Sequence, residues 1–146
     1  MSIHRQAEAA RPDAEPALIC QIPSGRVKLC NWQFLRGYCI QVSDPAVSSL
    51  NDLTQQARIA YLSDMAMIGE ALLEVTGAYR INYAILGNSD PVLHSHIVPR
   101  YLAEPDRFRM NTPWSYPREV IDTILFDYER DKELILKISD AIRKRL

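Results

Sequence analysis

The chain of 146 residues has three histidines, and two of them stand two positions apart in Val92-Leu93-His94-Ser95-His96-Ile97-Val98-Pro99-Arg100-Tyr101. A turn-forming cluster, Gly87-Asn88-Ser89-Asp90-Pro91, comes immediately before it. This order reads as a loop entering a short strand. Successive side chains of a strand point to opposite faces, so His94, His96, Val98 and Arg100 share one face and Leu93, Ser95, Ile97 and Pro99 the other. Two imidazoles side by side on a sheet have two chemical uses: as a pair of metal ligands, or as a nucleophile with a proton-handling neighbour. Zinc normally takes three or four protein ligands. The remaining histidine, His4, lies near the N-terminus, and no acidic residue stands at a recognisable metal-ligand spacing. The nucleophile is the expected use, and no metal ligand is assigned.

Asn82-Tyr83-Ala84-Ile85-Leu86-Gly87-Asn88, followed by Leu93 through Tyr101, resembles the histidine triad (HIT) superfamily of nucleotide hydrolases and transferases, in its bacterial HIT-like branch. The superfamily pattern is His-x-His-x-His, two apolar residues and often Pro-Arg. Its second histidine falls on His94, its third on His96 and its first on Val92, a departure. The resemblance covers residues 17 to 112. It implies that His94 attacks the α-phosphorus of a nucleotide conjugate and that His96 helps position the phosphate and leaving group. An apolar Val92 cannot make the hydrogen bond of a first histidine. Another polar group replaces it, or turnover is slowed, altered or lost. By the same resemblance, Asn31 matches a ribose-contacting residue and Ser89 a leaving-group contact.

Each of these residues also has an ordinary use. Asn88 and Ser89 either line an anion-binding turn or serve plain turn chemistry. Arg100, on the histidine face, either reaches a phosphate or is solvated or paired at a strand end. Trp32, Phe34 and Tyr38 line a base pocket or belong to the core. Trp114 and Tyr116 close over the site or pack. Asn82 is expected to be structural, and Arg107 and Arg109 to be surface charge. The function implied is a nucleotide-conjugate hydrolase or nucleotidyl transferase, of the dinucleoside polyphosphate or nucleoside phosphoramidate type, acting through a nucleotidyl-histidine. The alternative is a catalytically weak or inactive nucleotide-binding module, because of Val92. No cofactor is required, magnesium accompanies only a polyphosphate substrate, and the resemblance implies a homodimer.

Composition sets the remaining bounds. One domain is expected from this length. A net charge of −1 leaves no electrostatic footprint for long nucleic acid. No apolar run reaches the roughly 18 residues of a membrane span. Residues 1–16 lack the apolar core of a secretory signal, so a cytoplasmic protein is expected. Cys20, Cys30 and Cys39 are odd in number and lack a Cys-x-x-Cys spacing, which predicts buried free thiols.

The elements that must carry the histidines follow from periodicity. Strands are expected at 17–22, 27–32, 37–43, 80–86 and 93–101. A long helix spans 55–76, with Thr54 as N-cap, Gly77 as C-cap and Ile59, Leu62, Met65, Met67 or Ile68, Leu72 and Val75 inward. Residues 102–115 read as an ordered loop and 117–126 as a short helix. A terminal helix covers 128–145, capped by Asp127, with Leu134, Ile138, Ala141 and Ile142 inward. The fold class is α+β, a five-stranded, mainly antiparallel sheet with one long helix and a C-terminal helix; the HIT-like fold is similar to this. The expected organisation is a flexible tail at 1–16, a HIT-like domain at 17–112, and a C-terminal loop and helical extension at 113–146 packed on the same domain.

Overall fold

The computed structural model describes residues 15–146; His4, expected to be solvated, and most of the tail expected to be flexible lie outside the described residues. Five strands, β1 (Leu18–Ile22), β2 (Gly25–Leu29), β3 (Cys39–Ser43), β4 (Arg80–Ala84) and β5 (His94–Arg100), form one sheet in the order β1-β2-β3-β5-β4. Every pairing is antiparallel. The helices are α1 (Gln55–Thr76), α2 (Asp106–Arg109), α3 (Arg118–Ile121) and α4 (Tyr128–Arg143).

Both ends of α1 follow local chemistry. The Thr54 hydroxyl accepts the Ala57 amide at 3.2 Å, satisfying one of the unpaired donors of the first turn. At the other end Gly77 turns left-handed at φ 72°, a conformation that disfavours a side chain. Gly69, midway, lets the helix approach β4: a Cβ there would lie 1.9 Å from the Tyr83 hydroxyl. Both α1 and α4 cover one face of the sheet, where Ile68, Leu72, Ile138 and Ile142 pack with Val27, Leu29, Cys39 and Ile97. Thus α4, with Phe126 ahead of it, completes the main core. Polar contacts fix the same face: Ser95 Oγ lies 2.7 Å from the Tyr61 hydroxyl, and Gln41 donates to the Tyr61 carbonyl at 3.0 Å. With Ser95 and Ile97 held against α1, strand alternation sends His94 and His96 to the opposite face, as expected from spacing. A second apolar cluster lies there, including Leu35, Tyr38, Ile40, Val42, Val92 and Val98.

Several expectations are corrected. β2 stops at Leu29, short of Trp32. From Asn31 the chain leaves the sheet ladder and pairs with 124–126, through Gln33 N–H to Ile124 O at 2.8 Å and Phe126 N–H to Asn31 O at 2.7 Å. The buried Gln33 side chain closes this crossover by donating to the carbonyls of Cys30 and Tyr38 and accepting from Gly37 N–H. Because 124–126 are used this way, the expected helix at 117–126 shortens to α3. The 102–115 loop contains α2 and a 3-10 turn at Pro113–Ser115. Asp127 does not cap α4 through its side chain; Asp131 instead accepts the Asp127 amide at 3.0 Å. Ile59 and Leu62, expected inward, are 60% and 38% exposed, and Tyr61 is buried between them. Among the described residues no helix is long and apolar enough to cross a membrane.

Candidate active site

His94 and His96 present their rings on one face of β5, with centroids 5.0 Å apart and planes at 71°. Across the ladder, Val42 stands beside His94 and Ile40 beside His96, giving the pair an apolar floor. His94 is 5% exposed, and its Nδ1 lies 2.6 Å from the carbonyl oxygen of Val92. A carbonyl only accepts, so Nδ1 carries the hydrogen. In a neutral ring the Nε2 lone pair is then left available, the state a nitrogen nucleophile needs. The Val92 side chain packs in the second apolar cluster; the contact to His94 uses only its backbone.

His96 is oriented by a different group. Its Nδ1 lies 2.6 Å from the hydroxyl of Tyr38, a fully buried side chain. Burial, with the neighbouring His94, lowers the His96 pKa to about 4, so the ring is neutral at pH 7. Burial raises Tyr38 far above the ordinary phenol range, so it keeps its proton. The Cys30 thiol and the Trp114 indole also face this hydroxyl. The Trp114 ring meets His96 edge-on at 5.4 Å. All three cysteines are free and buried, and burial raises each thiol pKa, that of Cys30 to about 11.

Arg100, a candidate phosphate ligand by its face, has another use. It is 1% exposed, and each guanidinium nitrogen has a protein partner. Nε and Nη2 donate to Glu104, Nη1 to Asn82 Oδ1 and the Asn111 carbonyl, and Nη2 to the Phe108 carbonyl at 2.7 Å. Glu104 also accepts from the Tyr116 hydroxyl at 2.6 Å and the Tyr101 amide at 2.7 Å. Burial alone would raise the Glu104 carboxyl, but these donors hold it below its ordinary range. Arg100 is therefore the clamp that fastens the 101–116 segment to β5, and Asn82 helps hold it. That segment delivers Trp114 to His96.

The other candidates lie apart from this cluster. Asn31 is exposed beyond the end of β2, where its backbone carbonyl holds Phe126. Asn88 and Ser89 are exposed in the β4–β5 loop, and among the described residues neither side chain hydrogen-bonds to a histidine. Phe34 packs edge-on against Tyr116 at 5.4 Å, and Trp32 lies under the Arg118 guanidinium at 4.8 Å. The structure thus brings His94 and His96 together and adds the Val92 carbonyl, Tyr38 and Trp114. Sequence periodicity puts Tyr38 on the face of Ile40 and Val42, but only the β3–β5 register places it beside His96. A cleft of about 850 Å³ opens next to this site, lined by β4 and residues 109–114 and bounded by Val98 and Trp114. Among the described residues no three or more His, Cys, Asp or Glu side chains group as a metal site.

No protein-family model and no curated protein matches the sequence. Solved structures do match the fold. A histidine triad protein of Marinobacter aquaeolei aligns with a TM-score of 0.72 at 20% identity, over 97% of this chain and 94% of that one. A histidine triad protein of Sinorhizobium meliloti aligns at 0.71 and 19% identity, over 97% and 96%. The diadenosine triphosphate hydrolase of Plasmodium falciparum aligns at 0.65 and 13% identity, over 89% and 78%.

Proposed function

We propose that this chain, whose fold is that of the histidine triad proteins, is a nucleotide-conjugate hydrolase or nucleotidyl transferase with His94 as its nucleophile. The observation that carries this reading is the 2.6 Å contact from His94 Nδ1 to the Val92 carbonyl, which leaves Nε2 free to attack. Position 92 supplies this contact whatever its side chain, so the valine there keeps the feature that a nucleophile most needs. Nε2 attacks the α-phosphorus and forms a P–N bond. The bond from phosphorus to the leaving nitrogen or oxygen breaks, and its electron pair goes to the leaving group. Water then attacks phosphorus and releases a proton, which balances the one the leaving group takes up from solvent; the P–N bond breaks, its electron pair returns to Nε2, and a nucleoside monophosphate departs. His96, neutral and beside His94, offers a hydrogen bond to the phosphoryl oxygens or the leaving atom. Dinucleoside polyphosphates and nucleoside phosphoramidates fit this chemistry, with magnesium accompanying only the polyphosphate. Asn31, Asn88 and Ser89 are the accessible candidates for contacting substrate.

The proposed assembly is a homodimer, with the protein in the cytoplasm. Ile59, Leu62, Ala66, Gly69 and Leu73 follow a three-four spacing along one side of α1, and Ile59, Leu62 and Leu73 are exposed large apolar residues on it. Gly69 touches Tyr83, so this stripe borders β4, an edge strand with Tyr79, Tyr83 and Leu86 exposed beside it. A second copy would cover both the stripe and the edge.

The test is hydrolysis of diadenosine tetraphosphate and adenosine 5′-phosphoramidate by wild type, His94→Ala and His96→Ala, with AMP affinity measured alongside. The expected result is turnover in wild type and a loss of at least about 10³-fold in His94→Ala, with AMP binding retained. AMP binding without turnover in wild type supports the second reading, a nucleotide-binding module. The apolar side chain at Val92 is the feature that favours it.

A further inference from the structure

Resting on the nucleotidyl-transfer reading, we infer that Tyr38 is a positioning residue that fixes His96 as a hydrogen donor on Nε2, opposite in polarity to the Nε2 of its neighbour His94. Position 92 has one polar group near the histidines, its backbone carbonyl, and His94 uses it. His96 draws its orientation from elsewhere in the fold. Cys39 pairs with Ile97, so Tyr38, the preceding residue, lies diagonally across the ladder from His96 and reaches Nδ1 at 2.6 Å.

The direction of that hydrogen bond follows from the chemistry of the pair. A phenol O–H is the stronger donor and the unprotonated nitrogen of a neutral imidazole the stronger acceptor, so the Tyr38 hydroxyl gives its hydrogen to His96 Nδ1. The Cys30 thiol and the Trp114 indole face the same hydroxyl. A neutral imidazole that accepts at Nδ1 carries its hydrogen at Nε2. Burial supports the arrangement by keeping His96 uncharged and Tyr38 protonated. The result is two adjacent rings of opposite tautomer. His94 presents a lone pair to phosphorus, and His96 presents an N–H to the oxygens around phosphorus or to the leaving atom. With the other tautomer, His96 would turn a second lone pair towards an anionic phosphate and repel it.

Tyr38 acts through His96 and is not placed in contact with substrate. Trp114, on the segment held by the Arg100–Glu104 clamp, meets the His96 ring edge-on at 5.4 Å. Sequence spacing gives no sign of this link, because residues 38, 96 and 114 meet only in the folded chain.

The experiment reads the tautomer first. Long-range proton–nitrogen NMR spectra of ring-labelled wild type at pH 7 assign the hydrogen-bearing nitrogen of each histidine. The expected result is Nδ1–H for His94 and Nε2–H for His96; Nδ1–H on His96 overturns the inference. Tyr38→Phe keeps the ring between Phe34 and His96 and removes only the oxygen. In that variant the His96 tautomer is expected to become mixed. Single-turnover reaction with adenosine 5′-phosphoramidate is expected to slow roughly 10- to 100-fold, with KM within about threefold of wild type. An unchanged tautomer and an unchanged rate in a folded variant overturn it. The spectra need no turnover, so a wild type that forms no product defeats the nucleotidyl-transfer reading alone, while the tautomer still decides the role of Tyr38.

Discussion

The two histidines of β5 share a face but not an environment, and this sets how each behaves with pH. His96 has a folded pKa of about 4, lowered by burial and then by His94, against an ordinary value of 6.5. Protonation therefore favours the unfolded chain. The stability contribution of neutral His96 is fully present above pH 6.5 and is lost as pH falls through about 4. In an NMR titration the His96 ring protons are expected to stay constant from about pH 8 to 5 and to move near 4. A midpoint near the ordinary value would contradict the burial described. The pairing of His94 with His96 was legible in the sequence because strand alternation fixes it. The fate of Arg100 was not. Alternation puts it on the same face, but the segment that follows β5 folds back and takes up its donors. Exposure likewise separates Asn31, Asn88 and Ser89 from the buried His94 and half-buried His96, and exposure depends on loops that periodicity does not describe.

At the scale of elements, two ionic clamps hold the fold around the site, one wholly buried and one with a buried carboxylate and half-exposed arginines. One is Arg100 with Glu104, both almost wholly buried. Arg100→Met leaves Glu104 buried without its cation, so a loss of about 3–5 kcal/mol is expected in urea unfolding. A rise in the solvent quenching of Trp114 fluorescence should accompany it, because the freed segment carries that residue. A stability within about 1 kcal/mol of wild type would mean that the clamp does not hold the segment. The other clamp joins α4 to the β2–β3 crossover. Asp131 is fully buried and accepts from Arg36 at 2.6 Å, from Arg130 at 2.8 Å and from the Asp127 amide. Burial would raise its carboxyl, but Arg130, the Asp127 amide and Arg36 bring it down to about 2 from an ordinary 3.8. The associated stability, about 2 kcal/mol, is present above pH 3.8 and is lost as pH falls through about 2. Asp131→Asn is therefore expected to be less stable by about that amount at pH 7, with the difference shrinking towards pH 2; a difference independent of pH would contradict it. Apolar period and cap residues revealed α1 to the residue and β5 nearly so. They missed the crossover at 31–33, because a side-chain amide, Gln33, replaces the ladder there. They missed Asp131 because a charged residue in a helix is expected to face water.

For the whole molecule, the outward turn of Ile59 and Leu62 carries the largest consequence. The spacing of α1 made its whole apolar set look like core, and the sequence alone does not say which apolar stripe faces the sheet and which awaits a partner. Sedimentation of wild type is expected to give a dimer. Ile59→Glu with Leu62→Glu is expected to give a folded monomer, because both side chains are exposed in the single chain. A monomeric wild type would remove the dimer from the account. The central claim, that His94 Nε2 is the nucleophile, is tested most directly by intact-mass measurement during single turnover of adenosine 5′-phosphoramidate, in wild type and His94→Ala. The account predicts a transient adenylyl adduct in wild type, localised to His94 by fragmentation and missing from His94→Ala. Turnover with no adduct at any time, or an adduct that persists in His94→Ala, would contradict it.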